Sequence, residues 1–161
     1  MADESYSVWV PRPDQPERYD QQWSFFESRH QGVTFLVGGN GAGTTECALA
    51  KVADFLFYQQ PPPRRDTPFW LIGSDLEQCM EALWKEKLYG HGHIKPAEVD
   101  WARVRWYDSK SGLPYRVPLK SWPEYPGRNW VLEFKGYTQG REAMQARAIG
   151  GFLFSEQFPW S

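Results

Sequence analysis

The sequence has little cysteine, little net charge and no long apolar run. Only two of its 161 residues are cysteine, Cys47 and Cys79, and neither stands at a paired ligand spacing. A disulfide scaffold is therefore excluded, and we expect two reduced, partly buried thiols. No run approaches the roughly 18 apolar residues of a membrane-spanning helix, and residues 1–5 do not resemble a signal peptide. These absences predict a soluble, intracellular protein.

The formal net charge of only -2 argues against an extensive nucleic-acid-binding surface. Any DNA contact is expected to be a local basic patch or to be shared among subunits. With 161 residues, of which 41% are apolar, the chain can bury one sizeable core. We expect residues 1–30, which begin rich in proline and charge, to form an N-terminal arm, and residues 31–161 to form that core.

A glycine-rich run lies between a predicted strand and a predicted helix. The strand is residues 33–37, which are mostly β-branched, aromatic or aliphatic, and the helix is residues 44–58, which have apolar side chains at spacings of three and four. The glycines have the spacing of a phosphate-binding loop, whose backbone N–H groups converge on a phosphate at the helix N-terminus. The predicted nucleotide-binding residues are Gly38, Gly39, Asn40, Gly41, Ala42, Gly43, Thr44 and Thr45.

This loop lacks the lysine of the full signature. Thr44 stands in the lysine position, and Thr45 stands where a hydroxyl binds Mg²⁺. Because threonine carries no charge, the lysine's contribution to transition-state stabilisation must come from elsewhere or be absent. The pattern predicts nucleotide binding and questions hydrolysis. The alternative is a glycine-rich turn without a ligand.

Predicted strands and helices alternate along the rest of the chain. This alternation indicates an α/β fold with a mainly parallel sheet flanked by helices, in which a β-hairpin is inserted. The predicted strands are residues 69–73, 130–134 and 151–154; the helices are residues 76–88 and 140–148; the hairpin comprises residues 104–107 and 115–119 joined by a turn at residues 108–112.

Ser155 and Glu156 directly follow the last predicted strand. In phosphate-loop NTPases with an additional catalytic glutamate, an acidic pair stands here; its first carboxylate supports Mg²⁺ and its second polarises the attacking water. Glu156 is therefore the predicted general base, and Ser155, which has no charge, could hold a metal-bound water only weakly. The alternative is an ordinary strand end with a solvated glutamate.

Four stretches of the sequence are distinctive in combination. They are residues 22–25, residues 38–45, residues 130–142, which include the run FKGYTQGRE, and residues 152–159. Together they resemble the ATPase domain of phage large terminase subunits, the motors that translocate DNA into procapsids. The resemblance extends over residues 9–160, and FKGYTQGRE before an apolar strand is its most distinctive part.

The resemblance implies a P-loop NTPase that uses ATP and Mg²⁺. Gln22 matches the glutamine that reads the adenine edge, Glu156 matches the catalytic glutamate, and Thr45 and Ser155 stand in the metal positions. Two departures from the family, Thr44 for lysine and Ser155 for aspartate, remove charge from the phosphate–metal site. No spacing singles out a trans-acting arginine among Arg12, Arg64, Arg65, Arg141 and Arg147.

The resemblance also implies partners. The full-length motor acts on double-stranded DNA with a portal protein and a small terminase subunit, as a homo-oligomeric ring in the host cytoplasm and without a membrane. The family's downstream coupling motif and nuclease domain have no counterpart here, so a fragment or one product of a split gene is expected.

Two other functions stay open. The first is a non-hydrolysing binding or assembly module of the packaging machinery, in which Thr44 and Ser155 mark a lapsed site. The second is a nucleotide kinase, which the absence of an arginine-rich lid segment disfavours. His91 and His93, with Asp100 and Asp108, are interpreted as a surface loop and not as metal ligands.

Overall fold

The computed structural model describes residues 44–136 and 148–155 of the chain. The predicted N-terminal arm, the predicted strand at 33–37 and all but the last residue of the helix predicted at 140–148 lie outside these ranges. Helix α1 is Thr44–Asp54, and it continues in wider π-helical turns over Phe55–Gln59. Helix α2 is Leu76–Cys79, and it continues in π-helical turns over Met80–Leu88. Two short 3-10 turns follow, Pro96–Glu98 and Trp101–Arg103. The strands are β1 Thr67–Gly73, β2 Arg105–Asp108, β3 Leu113–Pro118, β4 Trp130–Gly136 and β5 Gly151–Phe154.

Each predicted element within the described ranges is confirmed to within two residues at its ends. The five strands form one sheet in the order β2-β3-β4-β1-β5. Strand β1 pairs in parallel with β4 and β5, so that Leu71 lies between Phe134 and Leu153. Strands β2 and β3 form the predicted antiparallel hairpin, and β3 also pairs antiparallel with β4. The fold is α/β, and the sheet is mixed, with its parallel strands at one end and the hairpin at the other.

The main hydrophobic core lies between one face of the sheet and the two helices. Phe69 and Leu71 on β1 share this core with Leu49 on α1 and Met80 in the turns after α2. All seven residues of β1 are buried, as expected for a parallel strand covered on both faces. The final turns of the first helix are fixed by aromatic contacts, since the ring of Phe55 lies 5.9 Å from that of Phe69 and 5.6 Å from that of Trp130.

The two cysteines form no disulfide with each other, and both are buried. Burial raises the pKa of the Cys47 thiol to about 11 and that of the Cys79 thiol to about 12. The Sγ of Cys79 also donates to the carbonyl oxygen of Leu71 at 3.4 Å. Both thiols are therefore protonated packing groups at neutral pH, and they are more deeply buried than the partly buried thiols that the sequence predicts.

Gly136 ends β4 at a close approach to the start of α2. A Cβ at this position would lie 2.5 Å from the backbone nitrogen of Leu76 and 3.0 Å from the carbonyl carbon of Asp75. We expect Gly136→Ala to lower the free energy of unfolding by about 2–3 kcal/mol, because backbone must move to admit the methyl group. Urea unfolding measures this loss. Gly127→Ala is the control, since its Cβ would meet open space and only its φ of 80° is unfavourable. An equal loss in both variants would contradict a steric cause.

Candidate functional site

The carboxyl ends of β1 and β5 form one side of a small cleft. The backbone nitrogen of Ser155 donates to the carbonyl oxygen of Ile72 at 2.8 Å, which holds Ser155 beside the end of β1. Ligands of open α/β sheets bind outside the carboxyl ends of parallel strands, so the cleft has the expected place for a site. It is lined by Gly73, Ser74, Asp75, Gln78, Cys79, Ala82, Leu83 and Ser155.

Asp75 brings a carboxylate into this cleft that the sequence analysis did not single out. Its backbone is extended, and its Oδ2 accepts a hydrogen bond from the backbone nitrogen of Gln78 at 3.0 Å, so Asp75 is the N-cap of α2. Among the described residues that line the cleft, it is the one acidic residue. The position of Asp75 just after a buried strand was the sequence feature that could have identified it. Ser155 stands where a carboxylate is expected, and the structure places the carboxylate residue Asp75 in the same cleft.

The described part of the predicted phosphate site is the start of α1. Thr44 is the first residue of that helix, and Thr45 lies half-buried in its first turn. A helix thus follows the glycine run, as a phosphate-binding loop requires. Thr44 and Thr45 thus stand on α1, and Ser155 directly follows β5. Thr45 is not among the described residues that line the cleft. The other predicted site residues, Gln22, Gly38, Gly39, Asn40, Gly41, Ala42, Gly43 and Glu156, lie outside the described residues.

Glu46, the next residue of α1, is the centre of a polar cluster. Its Oε2 lies 2.7 Å from Nε2 of the buried His93, and its Oε1 lies 3.2 Å from Nζ of Lys87 and also contacts Nδ1 of His91. Burial alone would raise the pKa of the Glu46 carboxyl, but the hydrogen bonds to His93, His91 and Lys87 outweigh burial and lower it. The cluster therefore joins the first turn of α1 to the chain at the end of the second helix.

Asp100 and Asp108 hydrogen-bond to residues other than the two histidines. Asp100 accepts from Nε of Arg103 at 3.0 Å, and Asp108 accepts from Oγ of Ser111 at 2.8 Å. Within residues 44–136 and 148–155, no group of three or more histidine, cysteine, aspartate or glutamate side chains is placed to hold a metal ion. His91 and His93 instead hydrogen-bond to Glu46, a partner about 45 positions earlier in the chain.

The oxygen donors of the candidate site suit Mg²⁺. This ion prefers oxygen ligands and, in nucleotide sites, takes one or two protein oxygens while water and phosphates complete its shell. Thr45 and Ser155 offer hydroxyl oxygens, and Asp75 offers a carboxylate. The chemistry of these donors fits the ion.

In the described ranges, no helix is long and apolar enough to cross a membrane.

Comparisons with known proteins show the fold. Neither a protein-family model nor a curated protein matches the sequence. Among solved structures, the ATPase domain of the large terminase of Thermus phage P74-26 matches with a TM-score of 0.50 and 15% sequence identity. The match covers 91% of this chain and 58% of that domain, so the chain spans a little over half of the domain's length. The five-stranded mixed sheet and its helices therefore form an α/β fold like that of a terminase ATPase domain.

Proposed function

We propose that this chain is the ATP-binding and ATP-hydrolysing domain of a phage packaging motor of the terminase type. The observation that carries the proposal is the likeness of its fold to a terminase ATPase domain over 91% of the chain. The start of α1 directly after the glycine run, with Ser155 and Asp75 in one cleft, supports it. The proposal also gives the task of the full-length motor. It packages double-stranded DNA together with a portal protein and a small terminase subunit, as an oligomeric ring in the host cytoplasm.

Each predicted site residue, together with Asp75, has a proposed role in ATP binding or hydrolysis. Residues 38–45 hold the phosphates of ATP, Gln22 contacts the adenine, and Glu156 is the general base that orients and deprotonates the attacking water. Bound Mg²⁺ would neutralise charge on the phosphates. Thr45 and Ser155 would hold the ion, and Asp75 would add the negative charge that Ser155 lacks.

The second candidate function is a non-hydrolysing binding or assembly module of the same machinery. The specific observation in its favour is the loss of charge at both Thr44 and Ser155. Under this alternative the domain binds nucleotide for contacts with other packaging proteins and does not turn it over. ATP turnover by the purified chain separates the two candidates.

The first experiment is ATP binding and turnover by the purified chain with Mg²⁺, beside Thr44→Lys. The lysine restores a point charge at the phosphates, so we expect it to tighten ATP binding by about tenfold. A titration with a fluorescent ATP analogue measures affinity, and phosphate release measures turnover. No detectable binding by either protein in the presence of Mg²⁺ would defeat the proposal.

The role of Asp75 is tested by Asp75→Asn. Asparagine caps helices as well as aspartate does, so this variant keeps the cap and removes the charge. We expect turnover at limiting Mg²⁺ to fall about tenfold and to recover in part at high Mg²⁺, because the ion loses a charged neighbour. Asp75→Ala is the structural comparison, since it also loses the cap, at a cost of about 1 kcal/mol in stability. An unchanged Mg²⁺ dependence in a folded Asp75→Asn protein would remove Asp75 from the site.

A further inference from the structure

Four aromatic rings form a continuous ladder from the core to the surface. Trp84 is buried and stacks on Tyr89 with ring centroids 5.4 Å apart and planes at 14°. Tyr89 meets Trp101 edge to face at 5.7 Å, and Trp101 stacks on Trp106 at 6.3 Å with planes at 12°. Trp101 and Trp106 are 38% and 40% exposed. The ladder therefore presents a stacked indole pair at the surface and connects it through Tyr89 to the buried Trp84.

The ladder ends on the β2–β3 hairpin, which adds further exposed rings. Tyr107 on β2 is 54% exposed, and Tyr115 on β3 is 40% exposed. Packing accounts for the buried tryptophans of the described residues, such as Trp130, but it does not account for several large aromatic rings that are 40% or more exposed. Such rings offer flat surfaces on which the bases of a nucleic acid stack.

The same segment is locally basic in an acidic chain. Residues 101–120 contain five lysines and arginines and one acidic residue, whereas the whole chain has a net charge of -2. The acidic residue, Asp108, accepts hydrogen bonds from Ser111 and from the backbone of Lys110 within the hairpin turn. Its charge is therefore partly engaged inside the turn, and the segment as a whole carries a net positive charge.

Arg103 pairs with Asp66 and Asp100. The other four cations of this segment, Arg105, Lys110, Arg116 and Lys120, form no ion pair with another described residue. In the register of the sheet, Arg116 lies opposite Arg105 on β2 and opposite Glu133 on β4. Like charges opposite each other on neighbouring strands destabilise a sheet, and a phosphate bound at Arg105 would offset this repulsion.

From these observations we infer that the β2–β3 hairpin and the exposed end of the aromatic ladder bind a nucleic-acid strand with unpaired bases. Arg105, Lys110 and Arg116 contact the phosphates, and bases stack on Trp106 and its neighbours. Single-strand binding surfaces combine these two features, cations that follow the backbone and rings that receive the bases. A duplex would offer phosphates to the cations but would keep its bases away from the rings.

This inference goes beyond the proposed function, and its test needs no nucleotide. A fluorescently labelled oligo-dT of about 20 residues is titrated with the full chain at low salt, without ATP or Mg²⁺. We expect Trp106→Ala to weaken binding about tenfold. We expect Arg105→Gln to weaken it less and to reduce the slope of log affinity against log salt by about 0.7. Oligo-dT should also quench tryptophan fluorescence in the original chain, and less so in Trp106→Phe.

The matched controls are Tyr125→Ala and Arg128→Gln. Tyr125 is also 40% exposed, and the guanidinium of Arg128 lies over its ring at 5.0 Å, but neither residue belongs to the hairpin. Neither control should change binding, and thermal unfolding confirms that each variant folds. No binding of oligo-dT would overturn the inference. Equal binding of a duplex of the same length with no effect of Trp106→Ala would also overturn it, because it would show contact with phosphates alone. Equal losses in the controls would place the binding elsewhere.

Because ATP turnover and oligo-dT binding depend on different residues, either proposal can fail while the other stands. Loss of turnover in a protein that still binds oligo-dT would contradict only the proposed ATPase activity.

Discussion

Glu156→Ala is expected to lower ATP turnover by about 10²–10⁴-fold, because the attacking water loses its general base. ATP affinity should change by less than about threefold, since this carboxylate acts on the water and not on the bound nucleotide. Phosphate release under saturating ATP gives the turnover number, and a fluorescent ATP analogue gives the affinity. A fall in turnover without a fall in affinity is the result that the proposed role requires.

The controls separate the loss of a base from loss of structure. Glu156→Gln keeps the size of the side chain and should be as inactive as Glu156→Ala, because an amide cannot accept the proton. Glu124→Ala removes an exposed carboxylate from the turn between β3 and β4 and should leave turnover unchanged. Full turnover by Glu156→Ala would contradict the assignment of the base.

The same measurement decides between the two candidate functions. If the original chain turns over ATP and Glu156→Ala does not, the assembly-module alternative fails. If the original chain binds ATP without turnover and Thr44→Lys restores turnover, the absent charge at the phosphates is the cause. The structural likeness to a terminase ATPase domain is compatible with both results, because a fold persists when a charged side chain is replaced by a polar one.

Local sequence patterns predicted the fold well where hydrophobic periodicity and chain breakers agree. The helix after the glycine run ends before the prolines at 61–63, and the next apolar run is strand β1. The strand at 151–154 was predicted with its observed bounds. The hairpin was visible because a turn containing Gly112 separates two short apolar runs.

Contacts between distant segments were not predictable from local patterns. The flexible His91-Gly92-His93 sequence indicated a surface loop, yet His93 is buried against Glu46. Trp122 and Trp130 were expected in the core or at its rim, and this is confirmed. The exposed stack of Trp101 on Trp106 joins a 3-10 turn to a strand whose pairing shifts register at Trp106, and composition does not encode such a register.

Glu46→Gln is expected to lower the free energy of unfolding by about 2 kcal/mol at neutral pH. The carboxylate accepts hydrogen bonds from the buried His93, from Lys87 and from His91, and its side chain is only 16% exposed. Glutamine has nearly the same volume, but it has no charge and one acceptor oxygen in place of two. At least one of the three donors, on the segment from residue 87 to residue 93, is then left without its acceptor.

The pH dependence of this loss gives a second, independent readout. The pKa of Glu46 in the folded protein lies below the ordinary value of 4.5, which applies to the unfolded chain. Its contribution to stability is therefore complete above about pH 4.5 and is lost as the pH falls through the folded pKa. Urea unfolding should show a large difference between the original chain and Glu46→Gln near neutral pH and a smaller difference in acid.

Glu81→Gln is the matched control, because Glu81 is an exposed glutamate whose ion pair with Lys85 lies on the helix surface. Its stability should change by less than about 0.5 kcal/mol at either pH. Equal losses in both variants, or a loss in Glu46→Gln that does not shrink in acid, would contradict the cluster's electrostatic origin. The expected pattern would instead establish that an ionised carboxylate, one residue after Thr45, fixes the start of α1 to the end of the second helix.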